Sequence, residues 1–162
     1  MSDEEVARAI TWIIYLLDLG IFLYKSDVCV ANLDEPLDPG VIVEMMFSKM
    51  FGIPIIGYRT EMKTPLGSLS DPHGGLHFFC YYPCDVFIRI PNQSIPNGFI
   101  GGKIYDFLST TINQAILDLP IQKAKPELGT EARKIVDLTT RLFEGVNNLK
   151  CESDMRILLS NY

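Results

Sequence analysis

A strand, a capped helix and a second strand follow one another between residues 26 and 58, and this succession constrains the fold more than any other feature of the chain. Residues 26–33 contain Val28-Cys29-Val30-Ala31-Asn32-Leu33, an apolar run of strand length rich in β-branched side chains. Asp38-Pro39-Gly40 then opens a helix over 39–50: Asp38 is a good N-cap, and Pro39 takes the first helical position, where a missing N–H costs nothing. Gly52-Ile53-Pro54 stops that helix, and 55–58 reads as a second buried strand. A strand-helix-strand unit gives two parallel strands joined by a right-handed crossover. The expected class is α/β, a parallel sheet flanked by helices in a Rossmann- or flavodoxin-like three-layer architecture.

The other segments arrange themselves around this unit. Ser2-Asp3-Glu4-Glu5 supplies a cap and first-turn acids for a helix reaching about residue 24. Residues 59–73 read as loop, 86–90 as a short strand, 91–97 as a turn region, 101–119 as a helix, 120–129 as a link and 130–146 as an amphipathic helix. The length fits one domain spanning 1–162, with a C-terminal helical extension from about 127.

Charge and cysteine usage exclude several classes. A net charge of -6 and a pI near 4.8 argue against a nucleic-acid surface, which needs clustered Lys and Arg. The acidic N-terminus lacks the positive charge of a signal peptide, and the apolar run 10–24, interrupted by Asp18 and Gly20, is shorter than a bilayer span. A cytoplasmic protein without membrane association is expected. Cys29, Cys80, Cys84 and Cys151 lack a close paired spacing for zinc, and they read as reduced thiols rather than a disulfide framework. Neither a metal nor a cofactor is expected.

The site hypothesis starts at residues 34–44, Asp-Glu-Pro-Leu-Asp-Pro-Gly-Val-Ile-Val-Glu. Asp34, Asp38 and Glu44 fall at the end of a buried strand and in the first turns of the helix after it, beside the crevice where open α/β sheets bind ligands. Glu44 is the only charge in Val41-Ile42-Val43-Glu44-Met45-Met46-Phe47, so burial is expected to raise its pKa unless donors compensate. The alternative is a partly exposed Glu on an amphipathic helix.

Asn32-Leu33-Asp34 at a strand end, then Asp38-x-Gly40-x-x-x-Glu44, then a helix leading to Gly52-Ile53-Pro54-Ile55-Ile56-Gly57-Tyr58-Arg59-Thr60, resembles the core signature of the nucleoside 2-deoxyribosyltransferases over residues 18–90. The resemblance implies transfer of 2-deoxyribose between nucleobases, with deoxynucleosides and free nucleobases as substrates. Displacement at an anomeric carbon of oxocarbenium character suits an attacking carboxylate that holds the sugar as an ester, and Glu44 matches the family's nucleophile. Asp18, on the apolar helix before the strand, corresponds to the acid that protonates the leaving base, a task helped by a raised pKa. A buried structural carboxylate is the other reading of Asp18. Asp38 matches a sugar-contacting position or is the N-cap alone. Asn32, Asp34 and Gly40 shape the substrate end of the strand, with turn formation the alternative for Asp34.

His77 stands where the family lends an Asn across a subunit interface to a neighbour's active site. It serves as a hydrogen-bonding replacement there or as a structural His. Phe78, Phe79, Tyr81 and Tyr82 stack on a base or fill an interface. A homo-oligomer with shared active sites is expected. The family's opening strand has no counterpart here, so its place is expected to be taken by residues upstream of Met1 or by a rearranged sheet in which 55–58 and 86–90 cover the gap. Two further functions stay open: a nucleoside or nucleotide N-glycosidase, where water resolves the ester, and a degenerate nucleoside-binding protein without catalysis.

Overall fold

The computed structural model describes residues 2–61, 64, 66–68, 70–90, 101–120 and 126–162, with backbone alone for 101–104. In chain order the elements are helix α1 (Asp3–Leu17), a π-helical segment (Asp18–Leu23), strand β1 (Cys29–Asn32), helix α2 (Pro39–Phe51), strand β2 (Ile55–Arg59), a short helix α3 (Phe78–Tyr81), strand β3 (Val86–Arg89), and helices α4 (Gly101–Asp118), α5 (Thr130–Leu142) and α6 (Glu152–Asn161). They form two compact units, a sheet unit of Asp27–Pro126 and a helical unit made of Met1–Ser26 with Glu127–Tyr162. The helices expected as a C-terminal extension from about 127 thus share a unit with the N-terminal helix.

In the sheet unit the turn chemistry acts as the sequence suggests. The Asp38 carboxylate accepts a hydrogen bond from the Gly40 N–H at 2.7 Å, and Pro39 opens α2. Gly52, at φ 70°, closes the helix in the left-handed conformation that glycine adopts without a Cβ penalty. The chain then turns into β2. All pairings are parallel, in the order β1-β2-β3, with Cys29 opposite Ile55 and Ile56 opposite Val86. Asp85 fixes the start of β3 by accepting from the Ile55 N–H at 2.7 Å and from Lys49 Nζ at 2.9 Å.

Alternation along the strands divides the core. Ile56, Ile88 and Ile90 pack with Leu108 of α4 on one face. Cys29, next to Ser48 of α2, marks the other. Helix, sheet and helix make three layers, so the expected α/β parallel-sheet class holds. β1 hydrogen-bonds directly to β2, and the far edge of β1 pairs with no strand among the described residues.

Element lengths depart from expectation where local signals are weak. The strand expected over 26–33 covers only Cys29–Asn32, the helix expected over 130–146 stops at Leu142, α6 falls within the expected C-terminal helical extension, and α3 lies where the sequence reading has no helix. The expected turn at 91–97 lies outside the described residues.

In the helical unit, Ser2 and Glu5 form a reciprocal capping box at the start of α1. Ala9, Ile13, Leu16, Leu19 and Leu23 are buried along one side, Ala132, Ile135 and Leu142 are buried on α5, which packs with them, and Leu158 is buried on α6, which packs with α5. The expected α-helix to residue 24 widens into a π-helical segment at Asp18. A cause lies in tertiary packing: Gly20 presses so closely on Thr139 that a Cβ would collide with its side chain, and the Thr139 hydroxyl donates to the Leu16 carbonyl at 3.2 Å. The helical run Asp3–Leu23 is 21 residues, longer than the apolar run 10–24 read from the sequence, and has the length and composition of a membrane-crossing helix, as core helices of soluble proteins also can. Within it Ile10, Trp12, Ile14 and Phe22 are exposed.

Candidate functional site

Parallel register gathers charge at the carboxyl ends of the strands. Arg59 and Arg89 are register partners at the last positions of β2 and β3, and register partners leave a sheet on the same face. Since Ile56, Ile88 and Ile90 face α4, both arginines point to the opposite side. Just beyond β1, Asp34 reaches across to the end of β2. Its Oδ1 accepts from the Thr60 and Glu61 N–H groups, each at 2.8 Å, and its Oδ2 accepts from the Thr60 hydroxyl at 2.7 Å. The Glu61 carboxylate accepts from the Glu35 N–H at 2.9 Å and lies 3.7 Å from Nη2 of the fully buried Arg59.

Arg89 differs from its neighbours. The residue as a whole is half-buried, yet all three guanidinium nitrogens are shielded from solvent and have no hydrogen-bond acceptor among the described residues. Burial pushes its pKa down and the positive charge of Arg59 adds to that, while Asp34 and Glu61 oppose it. The backbone of Gly74, at φ 56°, lies against the stem of this side chain, where a Cβ would be 3.5 Å from Arg89 Cδ and 3.6 Å from a Phe87 ring carbon. Tyr58, on the α4 face, has its pKa raised by burial and then by Asp34.

The residues singled out from the sequence fall into three places. Asn32, Asp34, Asp38 and Gly40 come together around the turn from β1 to α2. There Asn32 Oδ1 accepts the Asp34 N–H at 3.0 Å, Asp34 clamps the end of β2, and Asp38 caps α2. Asp34 is therefore a cross-strand clamp, and Asp38 performs the capping expected of it. Glu44 is half-buried on α2. It is close enough to the Cys29 thiol to add to the rise in pKa that burial causes there, while a hydrogen bond with Ser48 opposes that rise. Cys29 is the first residue of β1, so Glu44 has its influence at the amino end of that strand. His77 caps α3, its Nδ1 accepting from the Phe79 N–H at 3.2 Å. Asp18 belongs to the helical unit, half-buried at the start of the π-helical segment.

Sequence reasoning missed the arginine pair. Arg59 was visible only as part of a motif, and Arg89 not at all. The signal that could have found them is an Arg closing each of two apolar strands, Ile55–Arg59 and Val86–Arg89, which a parallel register places side by side. No group of three or more His, Cys, Asp or Glu among the described residues is arranged to hold a metal ion. The four cysteines are free thiols, with Cys84 pushed up to about 11, first by burial. Comparison with family models, curated proteins and solved structures finds no match for this chain.

Proposed function

We propose that the protein is a nucleoside 2-deoxyribosyltransferase acting through Glu44. The observation that carries the reading is the 32–44 stretch. Its residues resemble the family signature, and they fold as strand end, capped turn and helix with a half-buried carboxylate in the second turn. In the first step a Glu44 oxygen bonds to the anomeric carbon as the glycosidic C–N bond breaks and the base leaves with the electron pair, taking up a proton. In the second step a nitrogen of the incoming base attacks the same carbon, the ester C–O bond breaks to regenerate Glu44 as carboxylate, and the N–H proton of that base returns to the group that protonated the leaving base. On the resemblance, Asp18 is the proton donor.

The partners that this reading implies are deoxynucleosides, free nucleobases and a second copy of the chain, for which the 71% and 75% exposure of Phe79 and Tyr82 offers an apolar surface. Incubation with deoxyinosine and free adenine tests the reading: transfer gives deoxyadenosine, whereas release of deoxyribose alone makes the protein an N-glycosidase. Glu44→Ala is expected to lower turnover by several orders of magnitude with the fold retained; more than about a tenth of wild-type turnover rules the nucleophile out. A non-catalytic nucleoside-binding protein is favoured by one observation, the engagement of Asp34, Asp38 and His77 in structural hydrogen bonds. Ligand-dependent stabilisation without any base release would establish it.

A further inference from the structure

A guanidinium is expensive to bury without acceptors. Its five N–H donors lose water, and the charge loses solvation that only a partner or a ligand restores. At Arg89 no hydrogen-bond acceptor among the described residues relieves this cost; the charges of Asp34 and Glu61 offset part of it, while Arg59 on the neighbouring strand adds like-charge repulsion. The two nearby carboxylates are engaged elsewhere. Asp34 takes three donors from Thr60 and Glu61, and Glu61 takes the Glu35 N–H while lying near Arg59. Both arginines sit at the carboxyl edge of a parallel sheet, where α/β folds hold ligands. The Gly74 backbone packs against the Arg89 stem without a side chain in between.

We propose that Arg89, assisted by the charge of Arg59, binds the phosphate of a small phosphorylated sugar or polyol. A planar fork of donors matches two oxygens of a phosphate monoester. The carboxylates at the same edge select for more than an anion. Among the described residues Asp34 Oδ2 accepts a single hydrogen bond, so a ligand with hydroxyl groups beside its phosphate finds an acceptor as well as donors. Bare phosphate satisfies only half of this arrangement. The proposal does not depend on Glu44 or on base exchange.

The test is calorimetric titration of the full chain with ribose 5-phosphate, inorganic phosphate and ribose at matched ionic strength. Ribose 5-phosphate is expected to bind saturably, inorganic phosphate at least roughly tenfold more weakly, and ribose not measurably. Arg89→Met is expected to weaken ribose 5-phosphate binding by tenfold or more, on the order of one lost charge-assisted bidentate contact. Arg89→Lys, which keeps the charge and loses the fork, is expected to fall between. Saturable binding of both phosphates with equal affinity would place free phosphate at the site and overturn the sugar requirement. Absence of binding by either phosphate at about 10 mM, or unchanged affinity in a folded Arg89 variant, would overturn the site itself.

Discussion

Two charged side chains at the same edge of the sheet, Asp34 after β1 and Arg89 at the end of β3, have opposite circumstances. Asp34 is held by two backbone N–H groups and a hydroxyl, and these donors stitch one strand end to the next. Arg89 presents three buried nitrogens to no acceptor among the described residues. A charge surrounded by donors from its own chain contributes to the fold. One left without partners costs folding free energy, and a ligand can recover that cost. The sequence drew attention to the acid, and the geometry shifts it to the base.

Substitutions can break this comparison directly. Asp34→Ala is expected to have the largest effect, a loss of about 2–4 kcal/mol, because three donors to a carboxylate are left without it. Denaturant unfolding measures this, and a loss below about 0.5 kcal/mol would show that the clamp contributes nothing. Asp38→Ala, which removes a cap with a single hydrogen bond, is expected to cost about 1 kcal/mol in the same assay. Arg89→Met is expected to leave stability unchanged or raise it by about 1 kcal/mol, since an unpartnered buried charge gives way to an apolar chain of similar length. A loss above roughly 2 kcal/mol would instead make Arg89 a structural residue.

The two ends of the cysteine range sharpen the same point with the smallest effect. The exposed Cys151 thiol is pulled below its ordinary value by its hydrogen bond with Ser153, whereas Cys84 is pushed up to about 11 by burial. Iodoacetamide at pH 8 is expected to label Cys151 well before Cys84, as read by peptide mass spectrometry. Equal rates would contradict the burial of Cys84. The linkage runs the same way. The folded state keeps the Cys84 proton to about pH 11 and the unfolded chain releases it near its ordinary value of 9.0, so this contribution to stability is present at neutral pH and is lost as pH rises from 9 toward 11.

The parts of the fold that could be read in the sequence are those with local causes. Asp38, Pro39 and Gly52 announce α2 within a few residues of its ends, and apolar runs of strand length on both sides imply a parallel pair. The π-helical segment was not legible, because it accompanies a contact of Gly20 with Thr139, a residue whose hydroxyl bonds to a carbonyl 123 positions away. The site was legible in the same uneven way. The caps around Asp38 are local, but the Asp34 clamp takes its donors from 26 and 27 residues further on. The arginine pair exists only once β2 and β3 have chosen their register.

The order in which the units leave the ribosome follows from their nesting. Residues 27–126 separate the first helical segment from α5, with which it packs. At typical synthesis rates of 5–20 residues per second, that first segment waits roughly 5–20 s for its partner. During that interval Leu16, Leu19 and Leu23 remain without the helix that later covers them. The three strands emerge inside the same window and can pair among themselves, so the sheet is the natural first structure of the nascent chain. The apolar N-terminal segment is then the part a holding chaperone would grasp until α5 arrives.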